Sequence, residues 1–201
     1  MTQTATYTLA HLIADIQQVF ATTRDPRSQA HNVARHMQQL LAVPGCLDAE
    51  LDLSSREGFG RVNLHLDDQY GHPGPGFLVM CALLPPSSQA KKGLTRGTPH
   101  DHGASWVAYG IYQGAIEQTT YHWVYPPDGQ RTSPLLQERE RFVQNVGDVA
   151  FFLPGEIHKT ATLGDELAVA LRVEAQAMNH VVRHRYDPQT HTADMFQADG
   201  R

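Results

Sequence analysis

Three histidines carry the clearest chemistry in this chain. His100 and His102 lie in Gly97-Thr98-Pro99-His100-Asp101-His102-Gly103, and His158 lies in Pro154-Gly155-Glu156-Ile157-His158, after Gly147-Asp148. Two residues separated by one share a face of an extended chain, because side chains alternate along a strand. A third imidazole, arriving from another strand after a Pro-Gly turn, completes a set suited to iron, nickel, copper or zinc. Asp101 points to the opposite face from its neighbours and is not expected to ligate. Trp106 and Val107 stand where a carboxylate ligand could follow His102, and Glu117 is too far along. Three uncharged ligands would leave the full double charge on a divalent ion. An anionic substrate atom, such as a thiolate, enolate or carboxylate, is then favoured as the next ligand, with a position left for dioxygen. No separate acid, base or nucleophile triad is evident, so the metal is expected to carry the reaction.

These residues need strands to present them. From Phe59 onward the sequence falls into short β-type segments split by Gly, Pro, Asp and Ser: 61–66, 77–84, 106–112, 116–124, 142–143, 149–153 and 167–173. That spacing predicts an all-β sandwich or barrel. The segment 77–84 is apolar on both faces and is therefore expected to be interior. Upstream, Leu9, Leu12, Ile13, Ile16, Val19 and Phe20 predict one amphipathic helix over 7–21. Asp25-Pro26 starts a second, with Val33, Met37, Leu40 and Leu41, ending at Pro44-Gly45. The expected organisation is a helical cap at 1–50, a β-barrel at 51–186 and a polar, poorly ordered tail at 187–201. Loops are expected at 71–76 and 85–97.

Within the strand 167–173, Arg172 lies between Leu171 and Val173, and an arginine is rarely buried without a partner. It is expected to pair with Glu174 or Glu117, or to meet an anionic substrate. Glu117, Glu174 and Tyr109 are the candidates for acid–base work near the metal. Tyr109 and Trp106 could shape the pocket, and His65 could reach its mouth. The histidines on the helices, His11, His31 and His36, read as solvated or capping.

The chain has 201 residues and a formal net charge of −5, which gives no reason to expect nucleic acid or an anionic membrane surface as a partner. Cys46 and Cys81 make no disulfide framework. No secretory signal or membrane-length apolar run is visible, so a cytoplasmic protein is expected, a monomer or homodimer.

The motifs resemble the cupin superfamily. Its first motif is a His-x-His followed by an aromatic-rich strand and Gly, matched by His100 to Gly114. Its second, Gly-Asp…Pro-Gly-x-x-His, is matched by Gly147 to His158. The resemblance implies a double-stranded β-helix with two N-terminal helices and the metal in the barrel mouth. Within that superfamily, the His-Asp-His signature, the Tyr112-Gln113-Gly114 turn, Phe59-Gly60-Arg61 and the absent glutamate ligand resemble the cysteine dioxygenase and thiol dioxygenase group. That likeness implies Fe(II), dioxygen, and Arg61 as the clamp for a substrate carboxylate. Where the group carries an outer-sphere Ser-His-Tyr set on its final strand, this sequence has Ala170, Arg172 and Glu174, which implies a changed pocket. Zn, Ni or Mn would serve if the chain were instead an isomerase or lyase of the same fold, and a metal-containing sensor without turnover is a further alternative.

Overall fold

The computed structural model describes residues 6–52, 59–70, 76–89, 97–125, 134–178 and 181–197. Helix α1, Leu9–Thr22, starts at Thr8 with a capping box: Thr8 Oγ1 accepts from the His11 amide and His11 Nδ1 accepts from the Thr8 amide. Helix α2, Pro26–Leu41, starts at Asp25, whose carboxylate accepts from the Ser28 amide at 2.8 Å, with Pro26 in the first turn. The inward faces are the predicted ones: Leu12, Ile16, Val19 and Phe20, then Val33, Met37, Leu40 and Leu41.

Ten strands follow: β1 Gly60–Leu66, β2 Leu78–Leu84, β3 Val107–Gln113, β4 Ala115–Val124, β5 Leu135–Gln144, β6 Val149–Phe152, β7 Ile157–Leu163, β8 Ala168–Glu174, β9 Val182–Asp187 and β10 Thr192–Gln197. One sheet runs β1-β2-β8-β3-β6 and a second runs β5-β4-β7. From β3 onward the chain repeatedly crosses between the two sheets, which is the winding of a double-stranded β-helix. Hairpin β9–β10 joins the second sheet through His100, which bridges antiparallel to both His158 and Arg185.

β2 and β8 are buried along their whole length because both faces of the first sheet are covered. Val79, Cys81, Leu171 and Val173 pack with the helices, while Ala82, Leu84, Ala168 and Ala170 face the barrel interior with Tyr109 and Ile111. Trp106 pins the two layers together. Its Nε1 donates to Gln29 Oε1 at 3.2 Å and its ring lies 5.9 Å from Phe20.

Two expectations needed correcting. β5 is ten residues long, although only Phe142-Val143 read as strand, because Gln137 is exposed and polar and Glu138 to Arg141 are exposed and charged on a sheet edge. The polar tail expected from Asp187 contains β10, paired residue by residue with β9. The loop expected at 71–76 lies outside the described residues except for Gly76, as does 90–96 of the loop expected at 85–97, where Ser87–Gln89 form a 3-10 turn. Among the described residues, no helix is long and apolar enough to cross a membrane.

Helix α2 sits directly on β3 at Gly110, where an added Cβ would meet Leu41 Cδ1 at 2.5 Å and Met37 Cε at 3.3 Å. Replacing Gly110 with Val is expected to overpack this contact and cost about 1–3 kcal/mol. Thermal unfolding would show the loss; an unchanged midpoint would mean that the helices are not seated on β3.

Candidate metal centre

His100, His102 and His158 converge, all buried, with one nitrogen of each within 4.8 Å of the others. Their outward nitrogens decide which inward atom is free. His100 Nδ1 lies 3.0 Å from the Thr98 carbonyl, and a carbonyl can only accept, so Nδ1 carries the proton. His158 Nδ1 lies 3.1 Å from Gln118 Oε1 and donates to it for the same reason. Gln118 is itself held, accepting from Thr160 Oγ1 at 2.9 Å and donating to Gln144 Oε1 at 3.0 Å. Gln144 in turn donates to the Tyr109 carbonyl at 3.0 Å. His102 Nδ1 has no hydrogen-bond partner among the described residues.

The inward atoms of His100 and His158 are therefore lone-pair nitrogens, and His102 Nε2 can meet His158 either as the donor of a hydrogen bond or, with its proton on Nδ1, as a third lone pair. His102 Nε2 and His158 Nε2 lie 2.9 Å apart, too close for two lone pairs unless a proton or cation sits between them. Adjacent nitrogens bound at about 2.1 Å to one octahedral ion stand about 3 Å apart, so the spacing fits a divalent transition metal. Burial pushes His100 down to about 4, against the hydrogen bond to Thr98, which works the other way. Burial, and then the neighbouring His100 charge, hold His102 and His158 well below the ordinary imidazole value. All three rings stay neutral at pH 7, the form a metal needs.

Asp101 faces away, as its alternation predicts. Oδ1 accepts from the Gly103 and His184 amides, and Oδ2 accepts from Tyr186 at 2.5 Å and His184 Nδ1 at 2.8 Å. Burial works to raise its pKa, but these hydrogen bonds outweigh it and hold the carboxyl below its usual range. The carboxylate thus fastens β9 to the histidine segment. Gly103 makes the crossing possible: its φ is +58°, and a Cβ there would meet the Val182 carbonyl oxygen at 2.1 Å.

His100 and His102 open onto a cavity of about 90 Å³ walled by Arg61, Arg172, Arg183, Tyr109 and Thr160, with Ala82, Leu84 and Ala170 leaving the room. Arg172 Nη2 lies 2.7 Å from Glu174 Oε1, not from Glu117, which pairs with Arg141 on the exposed side. The Arg172–Glu174 contact is charge against charge rather than a well-aligned hydrogen bond, since both atoms lack a geometrically sound partner. The proximity is the stronger fact, because a Coulomb attraction does not need alignment. Glu174 stands behind Arg172 rather than on the cavity wall, its other oxygen accepting from Tyr70 at 2.7 Å. The Tyr109 hydroxyl is 3.5 Å from His102 Nε2, and burial raises its pKa, so it remains a protonated donor. His65 packs on Phe77 instead of reaching the cavity.

Sequence reasoning overlooked Gln118, Gln144 and Arg183. Polar residues at the inward positions of β4 were a signal for Gln118. Arg183 sits in a run of basic residues that resembles a solvated surface.

No protein-family model matches this chain, and no curated protein matches its sequence. Similar solved structures include the cupin domain of Schizosaccharomyces pombe Cnp3, with 13% identity and a TM-score of 0.38 over 62% of this chain and 71% of that one. The Bacillus subtilis oxalate decarboxylase is 19% identical, with a TM-score of 0.40 over 64% of this chain and 28% of its own. The DMSP lyase DddQ of Ruegeria pomeroyi DSS-3 is 17% identical, with a TM-score of 0.37 over 65% and 56%. The likeness is one of fold.

Replacing Gln118 with Leu removes the acceptor that orients His158 and is expected to weaken metal binding about 10- to 100-fold, read by chelator competition. An unchanged affinity would refute the orienting role. For the metal-free protein, the unfolded chain binds more protons than the native state between the ordinary imidazole value and about 4, where His100 titrates. Stability is therefore expected to fall on acidification through that window. Denaturation midpoints at pH 7.5 and 5 would check the sign, and no decrease at pH 5 would contradict the buried neutral rings.

Proposed function

We propose that this chain is a mononuclear metal enzyme, a non-haem Fe(II) dioxygenase acting on a small anionic molecule that bears a carboxylate or thiol. One observation carries the reading: two of the three converging neutral imidazoles, His100 and His102, face a cavity whose charged wall residues are all arginines. Iron(II) held by three neutral nitrogens would retain its full charge and supply a redox centre for the substrate and dioxygen. The resemblance of the His100–Gly114 and Gly147–His158 motifs to the cysteine dioxygenase group favours iron over Ni, Zn, Mn or Cu.

The protein's own groups then have separate tasks. Arg61 reaches the cavity from an exposed position on β1 and can orient a carboxylate with two parallel N–H donors. Arg172 lies with its guanidinium carbon 5.2 Å from the Tyr109 ring centre and is held by Glu174, whose other oxygen accepts from Tyr70, so its charge is aimed before substrate arrives. Tyr109 offers a hydroxyl beside His102 from β3, whereas β8 carries none. Phe152 stacks on His158 at 3.7 Å and keeps water from that side of the ring.

The Tyr109 hydroxyl also favours a second reading, a lyase or isomerase in which it serves as proton donor beside a Zn, Ni or Mn centre. One experiment separates the two. Protein reconstituted anaerobically with Fe(II) is offered a panel of small thiols and diketones, and oxygen uptake is followed together with substrate loss. Uptake stoichiometric with substrate is expected. Substrate loss without oxygen would favour the second reading. No uptake with any substrate, alongside tighter binding of another metal, would sink the first.

A further inference from the structure

The cavity wall carries more positive charge than one carboxylate can balance. Arg183 is only 9% exposed, forms no ion pair among the described residues, and leaves Nε without a hydrogen-bond partner. Its guanidinium carbon lies 4.6 Å from the Phe196 ring centre, which covers one side and offers no counter-charge. Arg172, 8% exposed, also keeps Nε unpartnered although Glu174 lies against its Nη2. Glu174 can offset one of these charges, not both. Buried guanidiniums are rare unless something anionic meets them, because removing such a charge from water without compensation costs several kcal/mol. Burial, and then the nearness of Arg172, press down on the Arg183 pKa, as expected for two like charges sharing one pocket. A substrate with a single carboxylate, taken by the histidine centre or by Arg61, would leave this pair facing empty space.

We infer that Arg172 and Arg183 form an oxyanion subsite of their own, and that the substrate is a short dianion in the sense of carrying two separate anionic groups. One anionic end sits beside the three histidines, and the second, a carboxylate or a phosphate monoester, is gripped between the two guanidiniums. Both oxyanions match the planar fork of arginine. Ala82 and Ala170 line the space between with small apolar surface, which suits a short carbon linker. The inference rests on the three-histidine metal reading above for the first end of the substrate, while the second end depends only on the arginines.

The test uses the full chain loaded with redox-silent Zn(II) and three ligands that share a 2-hydroxycarboxylate head: lactate, malate and 3-phosphoglycerate. Calorimetric titration is expected to show at least one of the two dianions binding tenfold or more tighter than lactate. Which of them does so tells a carboxylate subsite from a phosphate one. In Arg183→Met that advantage should shrink below threefold. Lactate binding as tightly as both dianions, or an advantage that survives Arg183→Met, overturns the inference. If Arg183→Met fails to fold by circular dichroism, Arg183→Lys decides: it keeps the charge but loses the two-pronged donor. Its ratio should fall severalfold, and an unchanged ratio overturns the subsite. Repeating the titrations on metal-free protein separates the two readings. Failure to retain zinc while the dianion advantage persists, and still depends on Arg183, would remove the metal centre and leave the subsite standing.

Discussion

The residues around the candidate centre are arranged about one close contact: the Nε2 atoms of His102 and His158, 2.9 Å apart in a buried space. In the metal-free protein a proton can bridge this pair and a metal ion can replace it, so the surrounding structure has to hold the three rings in place. It does so by fixing the outer edge of two rings. The Thr98 carbonyl holds His100, and Gln118, Gln144 and Thr160 form a closed amide and hydroxyl chain behind His158. Burial then keeps the rings neutral, and neutrality is what makes them donors. The ring with an unmatched outer nitrogen, His102, is also the one approached by the Tyr109 hydroxyl on the inner side.

The two-layered core follows from that demand. A sheet that must present polar groups inward needs its apolar surface satisfied elsewhere, and the helices provide it. Val79, Cys81, Leu171 and Val173 turn outward to α1 and α2, which frees the inward positions of β8 for Ala170, Arg172 and Glu174. Alternation along one strand thus separates a structural face from a chemical one. The pinning of Trp106 to Gln29 couples the two faces near the start of β3, four residues after His102.

Much of this was legible in the order of residues, for physical reasons that also mark where legibility ends. The helices carried capping residues and a 3.6-residue apolar period, and the histidine pair carried the two-residue period of a strand; both are local signals. β5 hid because Glu138 to Arg141 are exposed and charged, which erases the apolar alternation on which strand recognition depends. β9 and β10 hid for a similar reason, since their pairing comes from the backbone while their side chains read as solvated. Arg183 went with them: nothing local distinguishes an arginine that turns inward from its neighbour Arg185, and only the placement of β9 against His100 decides it. Gln118 was likewise invisible as a partner for His158, forty residues away.

The knot at Asp101 has a temporal side. The carboxylate binds its own neighbour Gly103 and, 83 residues later, both the backbone and the ring of His184. A growing chain that has made β2 through β8 has all three histidines in hand, with His100 bridged to His158 by two backbone hydrogen bonds, yet the Asp101 carboxylate still lacks its partners on β9. When β9 arrives, Asp101 fastens it to the histidine loop, and Arg183 comes to the cavity in the same movement. The fastening of the histidine loop and the placing of Arg183 are therefore completed together, by a strand that is made only after all three histidines.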